Sequence, residues 1–264
     1  MTDRVTIEAK GAVAEVRLSR PDKLNALDEA MFAALAEAGE SLRHAPGVRA
    51  IVLCGEGRAF CAGLDKSLFQ VLATGKGAEM LAGARNAFGA NRLQQAMVIW
   101  RDLPVPVIAA VQGQAFGGGL QLALAADQRF VGPDAQLSVM EIKWGIVPDL
   151  GGIGFLRNLM REDLMRDLIY SGRIVGAPES VALGLATRLA NDPLIAAHGA
   201  AAEIATKSPG AIRAAKALMN LAADASFSAL LAVESEAQAS LLGKPNQIEA
   251  VLANLQGRTA NYAD

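Results

Sequence analysis

Histidine and cysteine are almost missing from this 264-residue chain, which holds only His44, His198, Cys54 and Cys61. Two histidines, one after a helical pattern and one in an Ala-rich segment, read as surface or cap residues. With no G-x-S-x-G present, they argue against a Ser–His–Asp hydrolase. The cysteine spacing fits neither a C-x-x-C redox pair nor a zinc site, and no metal-ligand spacing occurs elsewhere, so no metal is expected. A reduced, cytoplasmic chain is the simplest reading. Aromatics make up 5% of the residues and the net charge is −2. Without a basic patch or an aromatic ladder, no nucleic-acid partner is expected. The first ten residues have no apolar core of the secretory type. The dinucleotide fingerprint G-x-G-x-x-G and the Walker A pattern are both missing.

What the chain does have is a long stretch without charge, Leu103 to Ala126. Its length would suit a membrane span. Pro104, Pro106, Gly113, Gly117, Gly118 and Gly119 break a continuous helix, and Gln112, Gln114 and Gln121 would lie in hydrocarbon, so no membrane partner is expected. The stretch predicts a buried strand over Val105–Val111, a glycine turn, and a buried helix from about Gly118. Such a turn aims free backbone N–H groups at one point, which suits an anion or a developing oxyanion.

Along the chain, Val5–Ile7 and Val13–Leu18 predict a hairpin about Lys10–Gly11. Asp28 predicts the N-cap of a helix running to about His44. Ala50–Cys54 reads as a buried strand and Ala78–Arg101 as a weakly patterned helix. Short strands follow at Asp127–Val131, Gln136–Val139 and Thr187–Leu189. Ala-rich helices occupy about 194–207, 209–223, 226–241 and 245–256. The class is α/β with short strands, divided near Asn191–Pro193 into a core over 1–190 and a helical region over 191–264. A mean hydropathy of +0.26 is high for a soluble monomer and predicts a homo-oligomer.

Two loops share one design. Ala59–Asp65 (A-F-C-A-G-L-D) follows the strand at 50–54, and Gly113–Gly119 (G-Q-A-F-G-G-G) follows the strand at 105–111. Side by side, two such turns would offer two N–H donors to one carbonyl oxygen; alone, each glycine set could serve tight packing only. These loops, together with R-P-D-K-L-N-A-L (Arg20–Leu27) and M-E-I-K-W-G-I-V-P-D-L-G-G (Met140–Gly152), stand in the order and spacing of one family. The chain resembles the enoyl-CoA hydratase/isomerase (crotonase) superfamily over most of its length. The resemblance implies a spiral of ββα units with a C-terminal helical trimerisation region, in a trimer or a dimer of trimers. It also implies an acyl-CoA substrate, with coenzyme A entering as part of that substrate and no separate cofactor.

Carried onto this sequence, the resemblance places the thioester oxygen between the N–H groups of Leu64 and Gly118, with Gly117 beside them. Lys23, Leu24 and Ala26 border the coenzyme A path, with Ala62, Asp65 and Lys66 nearby. Glu141 matches one of the two glutamates that hydratases of the family use. The position of the other is Gln121, which can hold water or substrate but cannot exchange a proton at neutral pH; it could also be a satisfied core glutamine. Asp149 stands where related enoyl- and dienoyl-CoA isomerases carry a working aspartate, and equally where it could cap the helix after Gly151. Trp144 reads as packing or pocket wall. The expected function is an enoyl-CoA hydratase or isomerase with Glu141 and Asp149 as acid/base groups and Gln121 orienting water or substrate. A non-catalytic acyl-CoA binder of the same fold is the alternative.

Overall fold

The computed structural model describes residues 4–76, 78 and 81–264. Nine strands are β1 (Val5–Lys10), β2 (Val13–Leu18), β3 (Ala50–Gly55), β4 (Val107–Val111), β5 (Gln114–Phe116), β6 (Gln128–Val131), β7 (Gln136–Ser138), β8 (Val175–Gly176) and β9 (Arg188–Leu189) among the described residues. The helices used below are α1 (Glu29–Arg43), α2 (Lys66–Val71), α3 (Arg92–Asp102), α4 (Gly118–Ala125), α5 (Gly152–Leu156), α6 (Glu162–Ser171), α7 (Ala177–Ala182), α8 (Pro193–Ala205), α9 (Pro209–Ala222), α10 (Phe227–Leu241) and α11 (Pro245–Leu255).

A six-stranded sheet runs β1-β2-β3-β4-β6-β9, and a smaller sheet runs β5-β7-β8. Only the β1–β2 hairpin is antiparallel in the large sheet. The chain visits the two sheets in alternation. From β4 it enters β5, and from β6 it enters β7. After β3, Cys61 bridges Ala115 of β5 in parallel. Each circuit therefore lays one strand on each sheet, which is the expected ββα spiral. The candidate loops are the corners where the chain passes from large sheet to small.

The strands β3 and β4 are buried on both faces, so their side chains divide by alternation. Ile51, Leu53, Val107, Ala109 and Val111 enter the main core with Phe32, Leu35, Met97 and Trp100. Ala50, Val52, Cys54, Ile108 and Ala110 face the other way, onto Ala197, Ala201 and Ala205. Those alanines lie on one stripe of α8, where small side chains let helix and sheet approach closely. The expected division at residue 190 is therefore no break in packing: α8 lies beyond it and closes the second face of the sheet. The helices after α8 are different, since α10 buries no residue.

Several local expectations hold. Asp28 accepts a hydrogen bond from Met31 N and caps α1, and His44 is that helix's C-cap. His198 departs from a surface or cap role, because its Nε2 lies 2.6 Å from Glu15 Oε2 and joins α8 to β2. The helix expected over 78–101 is interrupted: Ala78 and Leu81 are helical, 82–91 are not, and helix resumes at Arg92; residues 77, 79 and 80 lie outside the described residues. Gly83 and Gly89 take φ of 109° and 75°, which a helix excludes. Asn91 and Gln94 then form a capping box that fixes the new start. The uncharged stretch splits into β4, β5 and α4. Among the described residues no helix is long and apolar enough to cross a membrane.

Candidate active site

A cavity of about 670 Å³ opens where the two glycine loops meet. It is lined by Lys23, Leu24, Ala26, Ala62, Leu64, Asp65, Lys66, Gly117, Gly118, Gln121, Glu141 and Asp149. Every residue that the resemblance assigned to the site is brought to this one place, from segments more than a hundred residues apart.

One wall is backbone. Buried Asn25 donates to the Glu56 and Ala59 carbonyls at 3.0 and 2.9 Å and accepts from Arg20 N, so the 20–27 segment lies along the 59–65 loop. Leu27 N donates to Gly63 O and Asp65 N to Leu27 O, at 2.8 and 2.9 Å. In a parallel bridge of this kind the intervening residue, Leu64, turns its own N–H away from Leu27. Gly118 is the first residue of α4, so its N–H is one of the helix's orphan donors. The two loops are in contact. A Cβ on Gly63 would come 2.6 Å from Phe116 O and 3.8 Å from Gly118 N, and one on Gly119 would come 2.2 Å from Cys61 O. Glycine is required at both positions for this approach.

The opposite wall carries the carboxylates. Glu141 opens a short 3-10 turn, Glu141–Trp144, and is 6% exposed. Its Oε1 accepts from Gln121 Nε2 at 2.7 Å, and its Oε2 is buried with no hydrogen-bond partner. Burial pushes its pKa up; its own backbone N–H and then the Gln121 hydrogen bond oppose that, and the Asp149 charge adds to it. Asp149 is half-buried. Burial raises its pKa as well, countered only by its own backbone N–H. The capping role open to it in the sequence is not realised: Gly151 is the N-cap of α5, with no side-chain hydrogen bond. The segment holding Asp149 is fixed instead through its backbone, where Asp149 O accepts from Gln94 Nε2 at 2.8 Å.

Gln121 is 2% exposed and fully engaged on its oxygen, which accepts from Leu150 N and Gly152 N at 2.9 Å each. The sequence left open whether it holds water or is a satisfied core residue; its amide lies on the cavity wall and is hydrogen-bonded to protein on both ends. Asp65 is likewise committed. It caps α2 through Ser67 N and pairs with Arg20 at 2.6 Å, which with burial of little weight holds its carboxyl down to about 2. Lys23 and Lys66 are exposed at the rim, where Arg58 joins them.

Trp144 is a pocket wall, as one reading of the sequence had it, and it faces Phe69 of α2 with ring centroids 4.4 Å apart. Phe69 and Arg58 were not singled out by the sequence. Neither sits in a patterned motif, and Phe69 is 75 positions from its partner, so only the fold pairs them. Chemically, the cavity offers two backbone donors, two carboxyls of raised pKa, an apolar aromatic side and a basic rim. Cys54 and Cys61 are buried, with burial pushing both thiols up to about 12, and are not poised for reaction.

Residues 8–264 match the family model for enoyl-CoA hydratase/isomerase. The chain is 33% identical over 230 residues to a carnitinyl-CoA dehydratase of Proteus mirabilis, covering 86% of this chain and 84% of that one. It is 30% identical over 259 residues to the mitochondrial Delta(3,5)-Delta(2,4)-dienoyl-CoA isomerase of Mus musculus, covering 95% of this chain and 78% of that one. The crystal structure of an enoyl-CoA hydratase from Polaromonas sp. JS666 superposes with a TM-score of 0.89 at 30% identity, over 98% of this chain and 99% of that one. By its sequence, its spiral of paired sheets and the loops that meet at its cavity, this chain belongs to the enoyl-CoA hydratase/isomerase family.

Proposed function

We propose that this protein is an enoyl-CoA isomerase, which shifts the double bond of an unsaturated acyl-CoA thioester by a 1,3-proton transfer. The observation that carries the reading is the presence of two carboxyls, Glu141 and Asp149, in one cavity with the N–H groups of Leu64 and Gly118. Asp149 makes no cap that would explain it otherwise. The dienoyl-CoA isomerase activity in the mouse relative's name supports the same class.

In this reading the thioester oxygen sits on the Leu64 and Gly118 N–H groups. Glu141 removes a proton from C2 of a 3-enoyl-CoA, and the electron pair moves onto the thioester as a dienolate. Each preorganised donor is worth about 3–4 kcal/mol to that charge. Asp149 returns a proton at C4 as the double bond settles between C2 and C3. One proton leaves the substrate and one enters. A proton passing from Glu141 back to Asp149 restores the starting state. The Phe69–Trp144 side takes the acyl chain, and Lys23, Lys66 and Arg58 face the coenzyme A phosphates.

Hydration of a 2-enoyl-CoA is the second reading, favoured by the dehydratase and hydratase names among the relatives. It lacks a second carboxyl at position 121 to share the water. The test is one assay on two substrates, following the absorbance of the conjugated thioester. Conversion of 3-enoyl-CoA faster than loss of crotonyl-CoA supports the isomerase; the reverse order supports a hydratase, and tight binding without either reaction supports a binder.

The proposed assembly is a homo-oligomer joined through α9–α11. Met219, Phe227 and Leu255 are 72, 76 and 81% exposed on those helices, and a second copy of the chain would cover them. Sedimentation as a monomer at micromolar concentration would remove this part of the proposal.

A further inference from the structure

Gln121 stands in a different relation to Glu141 than a residue that holds water or substrate would. Its amide is fixed in orientation, because two backbone N–H groups, those of Leu150 and Gly152, meet Oε1 at 2.9 Å each. Only an oxygen can accept both. The nitrogen must then face Glu141, where it donates to Oε1 at 2.7 Å. The Gly152 backbone lies close against this amide: a Cβ on Gly152 would come 2.7–2.9 Å from the Gln121 side chain. The two donors bracket Gly151 and adjoin Asp149, so one side chain ties Glu141 to the segment that carries the second carboxyl.

We infer that Gln121 is a positioning residue: by occupying Oε1, its N–H holds Glu141 in the charged form and leaves Oε2 unpartnered, so that Glu141 starts the cycle as the base. The inference rests on the proton-shift reading of the site. The physical reason is direct. An amide N–H gives a hydrogen bond to a carboxylate oxygen but offers nothing equivalent to a protonated one, so it favours ionisation. It does so where burial alone would neutralise the group. Oε1 is taken by Gln121, and the partnerless Oε2 is the atom left to accept a proton. A glutamate at position 121 could still receive the Leu150 and Gly152 N–H groups. It would place a second carboxyl within hydrogen-bonding distance of Glu141, and the two would share a proton.

The test uses two variants of the full-length protein. Gln121→Glu keeps the acceptor for Leu150 and Gly152 and replaces the amide donor with a second carboxyl; Gln121→Met removes donor and acceptor at similar length and adds no charge. Carboxyl carbons are followed by NMR in protein labelled with 13C-glutamate, with Glu141 assigned by loss of its signal in Glu141→Gln. Both variants should raise the Glu141 titration midpoint by about one pH unit or more. The acid limb of the pH–rate profile for 3-enoyl-CoA should move up with it, and KM should stay within about twofold while kcat at low pH falls. A midpoint and acid limb that overlay the wild type in Gln121→Glu, whatever happens to melting temperature, would overturn the inference. The NMR arm needs no turnover. A shifted midpoint in a protein that isomerises nothing would leave the inference standing and sink the isomerase reading instead.

Discussion

The molecule buries two glutamates to nearly the same degree and treats them in opposite ways. Glu15 on β2 is 3% exposed, and Glu141 at the cavity is 6% exposed. Glu15 accepts from Lys10 Nζ at 3.0 Å, Arg17 Nε at 3.1 Å and His198 Nε2 at 2.6 Å. Against burial, which acts to raise it, these partners bring its pKa down to about 2. Glu141 has one neutral donor and one oxygen with none, and its pKa goes up. Burial does not decide what a carboxyl does; the number and charge of its partners do. The satisfied glutamate holds α8 on the sheet. The under-satisfied one, in the cavity wall, is left with an oxygen that has no hydrogen-bond partner.

The sharpest way to break the contrast is to neutralise each glutamate in turn. Glu141→Gln should cut isomerase turnover by about 10²–10⁴-fold, as for a lost general base. Its melting temperature should not fall, because the change removes a poorly solvated charge and an amide can still meet Gln121. A large loss of stability would place Glu141 with Glu15 as a structural group.

Asp149→Asn extends the comparison to a carboxyl without a side-chain partner. It should slow 3-enoyl isomerisation by about 10²-fold and leave melting nearly unchanged, because α5 is capped by Gly151. Equal small effects on isomerisation and on crotonyl-CoA hydration would remove its acid role.

Glu15→Gln should do the converse, keeping kcat while destabilising the fold by roughly 1–3 kcal/mol, a range reduced for screening of its partly exposed cationic partners. The pH dependence has a definite sign. Glu15 titrates near 2 in the folded protein and near 4.5 when free, so its contribution is full above the free value and is lost as pH falls toward 2. Denaturant unfolding of wild type and variant should differ most at neutral pH and converge between about 4.5 and 2. A constant gap across that range would show that packing, not charge, links α8 to β2.

The smallest effect concerns the active carboxyl itself. Since the Glu141 pKa lies above its ordinary 4.5, turnover should fall on the acid side at a pH higher than a free glutamate would give, while this group's contribution to stability rises as pH falls through the same range, because the folded state binds the proton more tightly than the unfolded chain. An acid limb at or below 4.5 would contradict an under-satisfied Glu141.

Much of this architecture was open to reading in one dimension. Alternation gave the β1–β2 hairpin, Asp28 gave the start of α1, and Ala-rich periodicity gave the four C-terminal helices within a residue or two. Glycine-rich corners and the residues around Glu141 and Asp149 marked the site, because close backbone approach and proton transfer each demand particular residue types. What failed was local pattern without context. Gly83 and Gly89 ended a helix that composition favoured. The three-residue β5 and two-residue β8 were too short to carry a period. The stripe of Ala197, Ala201 and Ala205 gave no sign of whether it met a sheet of its own chain or another surface.

The sequence alone thus determined the α/β class and the two glycine loops, which follow from backbone conformation and residue chemistry, and its resemblance to a family supplied the list of residues that meet at the cavity. Tertiary structure decided how those residues are used. That Gln121 donates to Glu141, that Phe69 meets Trp144 and that Glu15 meets His198 depend on partners 20 to 183 positions apart, and that Asp149 caps nothing depends on a cap taken by another residue. Such pairings set pKa and orientation through distances of a few ångströms. Those distances exist only once the sheets have closed and the helices have docked.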